Sequence, residues 1–355
     1  MKTLNATLLI IGTSIGAGML GLPVETGQGG FFPAFVLLLF NWGLLTFSAI
    51  CLVEVLGNFQ KNANFITLSE SILGKAFKVL TFVVYIALFF SLTMAYIKGG
   101  GVFMSEAVDR VPVSLGSFLF LLLFVPFIVL GPKILGVGNT FLTLGLMVSF
   151  LLLIFLGITK VNPSYLQHVD WKLGFFSFPM FITAFGFHGV LPSLYSYVGS
   201  KKKLKKAILM GTSLTFLIYL SWQLMVMGIV PLEGEKGLLQ TLQLDQTAIT
   251  PLIHFLQSPI LKVLSQIFYF TALTTSFLGV GLGLIDFLLD SFKIKQKKIN
   301  RLLMAFLIYL PALWVAESSL RVFYLSLKYG GGISCLYLLV FLPILFYYKQ
   351  KKAFP

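Results

Sequence analysis

The chain has 355 residues, of which 57% are hydrophobic and only 11% are charged, and its mean hydropathy is +0.95. A soluble domain of this length needs far more charge on its surface, so this composition excludes a soluble globular protein. The net charge of +14 could suggest a nucleic-acid partner. The basic residues lie between long apolar segments, however, which indicates contact with membrane lipid headgroups and no nucleic acid.

The apolar segments recur along the whole chain and predict ten membrane-spanning helices. Each approaches the roughly 20 residues that a helix needs to cross the hydrocarbon core. We name them spans one to ten, and they lie near residues 6–27, 31–56, 77–104, 114–131, 140–159, 175–198, 207–230, 260–287, 300–316 and 330–348. The sequence therefore predicts an all-α polytopic membrane protein.

The distribution of lysine and arginine predicts the orientation of these spans. If the N-terminus is cytoplasmic, most of the 26 basic residues fall on the cytoplasmic side, chiefly near Lys201–Lys206 and Lys293–Arg301. Both termini are then cytoplasmic, and the protein is a multi-pass component of the cell inner membrane. The first 23 residues have no small-x-small cleavage site, so we expect a retained helix and not a signal peptide.

Two spans contain residues that interrupt helices. Span one carries Gly12-Thr13-Ser14-Ile15-Gly16-Ala17-Gly18-Met19-Leu20-Gly21-Leu22-Pro23, and span six carries Phe185-Gly186-Phe187-His188-Gly189-Val190-Leu191-Pro192-Ser193. Five helices separate the starts of these two spans. Interrupted helices at matching positions of two halves are typical of inverted repeats, here residues 1–165 and 166–355 of one membrane domain.

The two interruptions predict a binding site near the middle of the membrane. Backbone groups freed there are costly unless a polar group meets them. A zwitterionic amino acid would place its carboxylate at the half-helix near Gly16–Met19 and its ammonium at carbonyl groups near Phe185–Gly186. The alternative is that the glycines only permit close packing or a kink.

Several motifs resemble the hydroxy and aromatic amino acid permease family of the amino acid/polyamine/organocation superfamily. They are the quoted motif of span one, Ala95-Tyr96-Ile97 before Gly99-Gly100-Gly101, Phe185-Gly186-Phe187-His188, and Ser276-Phe277-Leu278-Gly279 with Asp286-Phe287. The resemblance implies a five-plus-five inverted-repeat (LeuT-like) bundle. It also implies proton-coupled symport of an aromatic amino acid, tyrosine first, with tryptophan or serine/threonine as alternatives.

We predict the residues that contact the substrate from the two interruptions and from these motifs. They are Thr13, Ile15, Gly16, Ala17, Gly18, Met19, Tyr96, Phe185, Gly186, Phe187 and Thr274. Phe185, Phe187 and Tyr96 could stack on an aromatic substrate or hydrogen-bond to it.

Titratable groups at membrane depth are the candidates for proton coupling or gating. They are His188, Glu54, Lys98 and Asp286, with Glu25 at the outer edge of span one. Histidine changes charge near neutral pH, but a lone histidine is more often structural. Thr275 and Ser276 could help to hold a sodium ion, although no carboxylate accompanies them. We predict no metal site, no cofactor and no particular oligomeric state.

Two other classes of membrane protein fit the sequence less well. An embedded enzyme needs paired carboxylates or a nucleophile set, whereas Glu233 and Glu235 lie alone outside the spans. A channel needs filter loops or rings of charge. We therefore predict a secondary transporter that works by alternating access, in which spans one, two, six and seven rock against spans three, four, eight and nine.

Overall fold

A computed structural model describes residues 2–59, 64–107, 111–318 and 321–353. Lys61, which the orientation prediction counts as cytoplasmic, lies outside these ranges. The described residues form helices and connecting segments without a β-strand, which confirms the all-α prediction.

Within these ranges, eight helices are long and apolar enough to cross a membrane, and a bent pair at the start of the chain brings the number to nine if the pair forms one span. The straight spans two, three, four, five, seven, eight and nine have the bounds Phe31–Leu56, Lys75–Ala107, Val113–Leu130, Pro132–Gly157, Lys201–Ile229, Pro259–Ser291 and Lys298–Ser318. The prediction of a multi-pass membrane protein is confirmed.

The predicted interruptions of spans one and six are both present. Span one consists of the helices Lys2–Ser14 and Ala17–Gly27, which meet at an angle of 54°. Span six is divided into Trp171–Phe176, Phe178–Ala184, a 3-10 turn His188–Val190, and Leu191–Val198. The five-plus-five repeat itself stays a prediction.

Span ten starts earlier than predicted and is irregular. It runs through Val322–Leu325, Ser326–Gly331, Gly332–Cys335, Leu336–Phe341 and Leu342–Ala353, and the second and fourth of these pieces are π-helical. Its residues pack against spans two, three and six. Wide helical turns of this kind often occur at functional sites, because they shift the side chains that follow.

Three short α-helices in the described part of the chain lie outside the spans. Phe65–Leu73 follows span two, while Leu238–Gln243 and Ile249–Leu256 lie between spans seven and eight. We call residues 231–258 the outer lid, since they lie on the side of the bundle opposite the lysine clusters and pack against the second helix of span one. Sequence periodicity did not predict these helices, because they are only six to nine residues long.

Candidate functional site

A cavity of about 790 Å³ lies where the interruptions of spans one and six meet. Its volume is within the range of pockets that bind small molecules. Spans three, five, eight and ten complete its wall. The cavity extends from the interruptions toward the basic side of the bundle, where Asn64, Tyr85 and Phe287 line it. If that side is cytoplasmic, the cavity faces inward.

The interruption of span one leaves backbone donors at the cavity wall. The N–H of Ala17 donates a hydrogen bond to Ser276 Oγ at 3.1 Å, which fixes the start of the second half-helix against span eight. A Cβ atom on Gly16 would lie 2.4 Å from the same Oγ atom, so a side chain at Gly16 would displace the hydroxyl that accepts from Ala17. Gly16 and Gly18 both line the cavity, and the helix that starts between them favours a negative group at this end.

Span seven holds the two interruptions together. The hydroxyl of Tyr219 lies 2.5 Å from the carbonyl oxygen of Ser14 and 2.7 Å from that of Ala184, which are the last residues of two half-helices. One turn later, Trp222 donates from Nε1 to the carbonyl oxygen of Met19 at 2.9 Å. The single hydroxyl hydrogen of Tyr219 is shared by the carbonyl groups at the ends of two half-helices, and Trp222 serves a carbonyl whose helical partner would be Pro23, which has no N–H.

Tyr219 and Trp222 are not among the residues predicted from the sequence. The sequence does contain a feature that could have identified them. Three side chains with polar groups lie in the middle of an apolar span, namely Tyr219, Trp222 and Gln223. Each needs a hydrogen-bond partner when it is buried. Gln223 has one as well, since its Oε1 accepts from Thr26 in span one at 2.7 Å.

The structure brings about half of the predicted substrate-binding residues to the cavity. Those that line it are Thr13, Ile15, Gly16, Gly18, Tyr96 and Gly186, together with Thr275 and Ser276. Those that are buried in the surrounding protein instead are Ala17, Met19, Phe185, Phe187 and Thr274. Phe185 packs edge-on against Tyr219, with ring centroids 4.9 Å apart, and Phe187 packs against His188.

Other aromatic residues take the position expected for Phe185 and Phe187. Tyr85, Phe89 and Tyr96 project from span three into the cavity, and Phe287 faces them from span eight. The rings of Tyr85 and Phe287 are stacked, with centroids 5.1 Å apart. Within the described ranges, the side chains that line the cavity are uncharged. A zwitterion inside it would therefore depend on backbone groups and hydroxyls for its polar contacts.

Two of the predicted coupling residues form ion pairs at the basic side of the bundle. Glu54 pairs with Lys201 and Lys205, and Asp286 pairs with Arg301. Lys2 is not among the described partners of these carboxylates, and its ammonium lies over the ring of Tyr197, 5.4 Å from the ring centroid. Neither pair lines the cavity.

Lys98 and His188 also lie away from the cavity. The ammonium of Lys98 is 3.4 Å from the carboxylate of Glu317, which also accepts a hydrogen bond from Ser117 at 2.7 Å. Sequence reasoning missed Glu317, because it lies at the far end of span nine. His188 is completely buried beside Phe187, with ring centroids 4.7 Å apart, and its ring lies next to the backbone of Leu45 in span two.

Thr275 and Ser276 line the cavity, but their hydroxyls are engaged in the bundle. Thr275 donates to the carbonyl oxygen of Thr271 at 2.8 Å, and Ser276 donates to that of Ala272 at 2.8 Å. The Ser276 oxygen also accepts from Ala17 N–H. A cation would have to displace this N–H, which presents its positive end to the same oxygen.

The outer lid closes the bundle on the side opposite the cavity mouth. Ala248 of the lid donates its N–H to the carbonyl oxygen of Leu20 at 3.0 Å. The carboxylate of Asp245 accepts from the N–H groups of Phe323 and Tyr324, at 2.8 and 3.2 Å, and so caps the start of span ten. Burial raises the pKa of Asp245 to about 6, against the effect of these hydrogen bonds and of the nearby cations Lys98 and Arg321.

The fold and the cavity together define a polytopic helical membrane protein with a solute-sized chamber between two interrupted helices. Comparison with known proteins agrees with this class. The family model described as the tryptophan/tyrosine permease family matches residues 1–355, and the chain belongs to this family.

Curated relatives of the chain are bacterial transporters. The chain is 35% identical to tyrosine-specific transport system 1 of Haemophilus influenzae, over 99% of this chain and 89% of the relative. It is 30% identical to tyrosine-specific transport system 2 of the same organism, over 100% and 89%. It is 29% identical to the tryptophan-specific transport protein of that organism, over 99% and 88%. The resemblance noted in the sequence is thereby confirmed.

Proposed function

We propose that this protein is a proton-coupled symporter of the cell inner membrane that imports tyrosine by alternating access. The single observation that carries the proposal is the uncharged cavity of about 790 Å³ at the two helix interruptions. Its wall combines the backbone of Gly16 and Gly18, at the start of a half-helix, with the aromatic side chains of span three. This combination suits the zwitterionic head and the ring of an aromatic amino acid.

The choice of tyrosine rests on the relatives and on the size of the cavity. The relative at 35% identity and one at 30% are described as tyrosine-specific, whereas a relative at 31% is described as tryptophan-specific. A tryptophan carrier is the second candidate, because other relatives are tryptophan-specific and the cavity volume also accommodates an indole. A serine or threonine carrier is disfavoured, since a small substrate would leave most of this cavity unfilled.

The contacts of the Thr275 and Ser276 hydroxyls in span eight favour proton coupling over sodium coupling. Thr275 and Ser276 lack an accompanying carboxylate in the cavity wall, and Ser276 Oγ already accepts the N–H of Ala17. Oxygen ligands without a negative charge hold a sodium ion weakly. A transported proton would instead be carried by titratable groups outside the cavity wall, such as Glu25, Glu54 and Asp286.

The test is uptake of labelled tyrosine, tryptophan and serine into proteoliposomes that contain the purified protein. A pH gradient, acidic outside, is imposed first, and a sodium gradient at uniform pH is imposed in a second series. We expect concentrative tyrosine uptake with the pH gradient alone. Uptake that responds only to sodium would contradict the coupling ion, and transport of tryptophan or serine in preference to tyrosine would contradict the substrate.

A further inference from the structure

A buried ion pair closes the outer side of the bundle. The carboxylate of Glu25, near the end of span one, lies 2.5 Å from the ammonium of Lys328 in span ten. The Glu25 side chain is 4% exposed and that of Lys328 is 14% exposed, so both charges are largely removed from water. Charges at this depth are stable only while they stay paired.

The pair lies directly beyond the outer end of the cavity. Gly18 of span one and Leu327 of span ten both line the cavity, and Lys328 follows Leu327 in the chain. Glu25 is seven residues beyond Gly18, or roughly 10 Å along the helix at 1.5 Å per residue. A solute that left the cavity outward along spans one and ten would pass between these two segments. The same gap is filled by the side chains of Met180, Phe323 and Tyr324, which pack against Gly21.

The pair also differs from the other interspan ion pairs in what it connects. Under the proposed mechanism, spans one, two, six and seven move as one group against spans three, four, eight and nine. Glu54 with Lys201 and Lys205 joins spans two and seven, both in the moving group. The pairs of Lys98 with Glu317 and of Asp286 with Arg301 join spans of the other group.

Among the described interspan pairs, only Glu25 with Lys328 ties a moving span to a span outside the moving group. It is therefore the one that a rocking motion would stretch, while the other pairs would travel with their own group. Lys328 lies in the π-helical piece of span ten, Ser326–Gly331, and this irregular segment packs against both span three and span six.

We propose that Glu25 and Lys328 form an outer latch, an ion pair that must separate before the cavity can open to the outside. This inference rests on the proposed alternating-access function and adds the pair that controls which side is open. Loss of either charge removes the electrostatic attraction between spans one and ten on the outer side. The population of outward-open protein therefore rises. Restoring an attractive pair in reversed order restores the closure.

The chain contains a suitable reporter for the side on which the cavity is open. Cys335 lines the cavity and carries a free thiol, and the second cysteine, Cys51, can be replaced by alanine. A small, charged, membrane-impermeant thiol reagent is applied to right-side-out or inside-out membrane vesicles. The measured quantity is the ratio of Cys335 labelling rates from the outer and the inner face.

The variants are Glu25→Gln, Lys328→Gln and the exchange of both residues, Glu25→Lys with Lys328→Glu. Glu317→Gln is the matched control, because it breaks an outer pair inside one group. We expect each single latch variant to raise the outer-to-inner labelling ratio by about tenfold or more, because the ratio follows the population of outward-open protein. The exchange should restore the wild-type ratio, and Glu317→Gln should leave it unchanged.

An unchanged ratio in both single latch variants would overturn the latch, as would an equal rise in the Glu317→Gln control. Recovery in the exchange variant also excludes misfolding as the cause of a rise. Tyrosine uptake by the wild-type protein is measured separately. Normal tyrosine uptake with unchanged labelling ratios would remove the latch alone, whereas a clear shift in the ratios without tyrosine uptake by the wild type would remove the substrate assignment alone.

Discussion

The two halves of the bundle on either side of the helix interruptions differ in how they are filled. On the outer side, the second helix of span one is buried along nearly its whole length, beneath the outer lid and span ten. On the basic side, the first helix of span one is buried on one face only, and the cavity extends along spans three and eight. Under the proposed alternating access, this contrast corresponds to a state that is open to the basic side, in which the barrier that must move lies on the outer side.

The first prediction tests whether the interruptions form the site that the two halves share. Replacing Gly18 by leucine should reduce tyrosine binding and uptake by about tenfold or more, because overpacking at a buried site costs roughly 1–3 kcal/mol. A Cβ atom at Gly18 already lies 3.3 Å from the backbone of Ala184, so a larger side chain must enter the cavity or separate spans one and six. Gly16→Leu should act in the same way against Ser276.

Gly43→Leu is the matched control for this substitution. Gly43 lies in span two, and a Cβ atom there meets nothing within 4 Å. Binding is measured on purified protein with labelled tyrosine, and uptake is measured in proteoliposomes. Tyrosine affinity in Gly18→Leu equal to that of Gly43→Leu would place the substrate elsewhere.

The second prediction concerns the side chain that joins both interruptions to span seven. Tyr219→Phe removes the hydroxyl that reaches the carbonyl oxygens of Ser14 and Ala184. Buried groups left without a partner cost about 1–3 kcal/mol, so we expect a lower unfolding temperature and up to about tenfold slower uptake. Thermal unfolding and uptake are compared with Tyr165→Phe, which alters an exposed tyrosine. A Tyr219→Phe protein as stable and active as this control would show that the contact is dispensable.

The third prediction uses the buried carboxyl of the outer lid. Burial raises the pKa of Asp245 from 3.8 to about 6 in the folded protein, so the folded state binds this proton more tightly than the unfolded chain does. The contribution of Asp245 to stability therefore increases as the pH falls through 6 and is lost as the pH rises. Between pH 7.5 and pH 5 the change is about 1.4 kcal/mol.

Asp245→Asn isolates this contribution, because asparagine cannot take up the proton and still offers one oxygen to the N–H groups of Phe323 and Tyr324. The unfolding temperatures of the wild-type and variant proteins are measured from pH 7.5 to pH 5. We expect the wild type to gain about 2 °C relative to the variant over this range. If the unfolding temperatures of the two proteins changed with pH in the same way, the pKa of Asp245 would not be raised in the folded protein.

The sequence predicted the helix interruptions because their cause is local. Glycine and proline disturb a helix wherever they occur, so Gly16, Gly18 and Pro192 identify spans one and six without a structure. The partners of these interruptions were not predictable in this way. Tyr219 and Ser276 reach them from spans 200 or more residues away from Ser14 in the chain, and only the packing of helices brings them together.

The direction in which a side chain points within an interruption could not be predicted from the sequence either. Phe185 and Phe187 lie at the right depth, but irregular backbone has no fixed periodicity, and the structure buries both rings in the protein. Span three is a regular helix, and its Tyr85, Phe89 and Tyr96 recur at intervals that place them on one face. An aromatic face on an uninterrupted span was the stronger available signal for the ring of a substrate.

The last and smallest effect is predicted for His188, the deepest histidine of the chain. It lies beside Phe187 and does not line the cavity, so protons exchanged with the cavity have no direct access to its ring among the described residues. We expect His188→Gln to leave the midpoint of the pH profile of tyrosine uptake unchanged, with uptake altered by no more than about twofold. The measurement is initial uptake between pH 5 and pH 8, with Tyr165→Phe as control. A flattened profile in His188→Gln alone would mean that the transported proton passes through span six behind Phe187, and the closed packing around this ring would then have to open in each transport cycle.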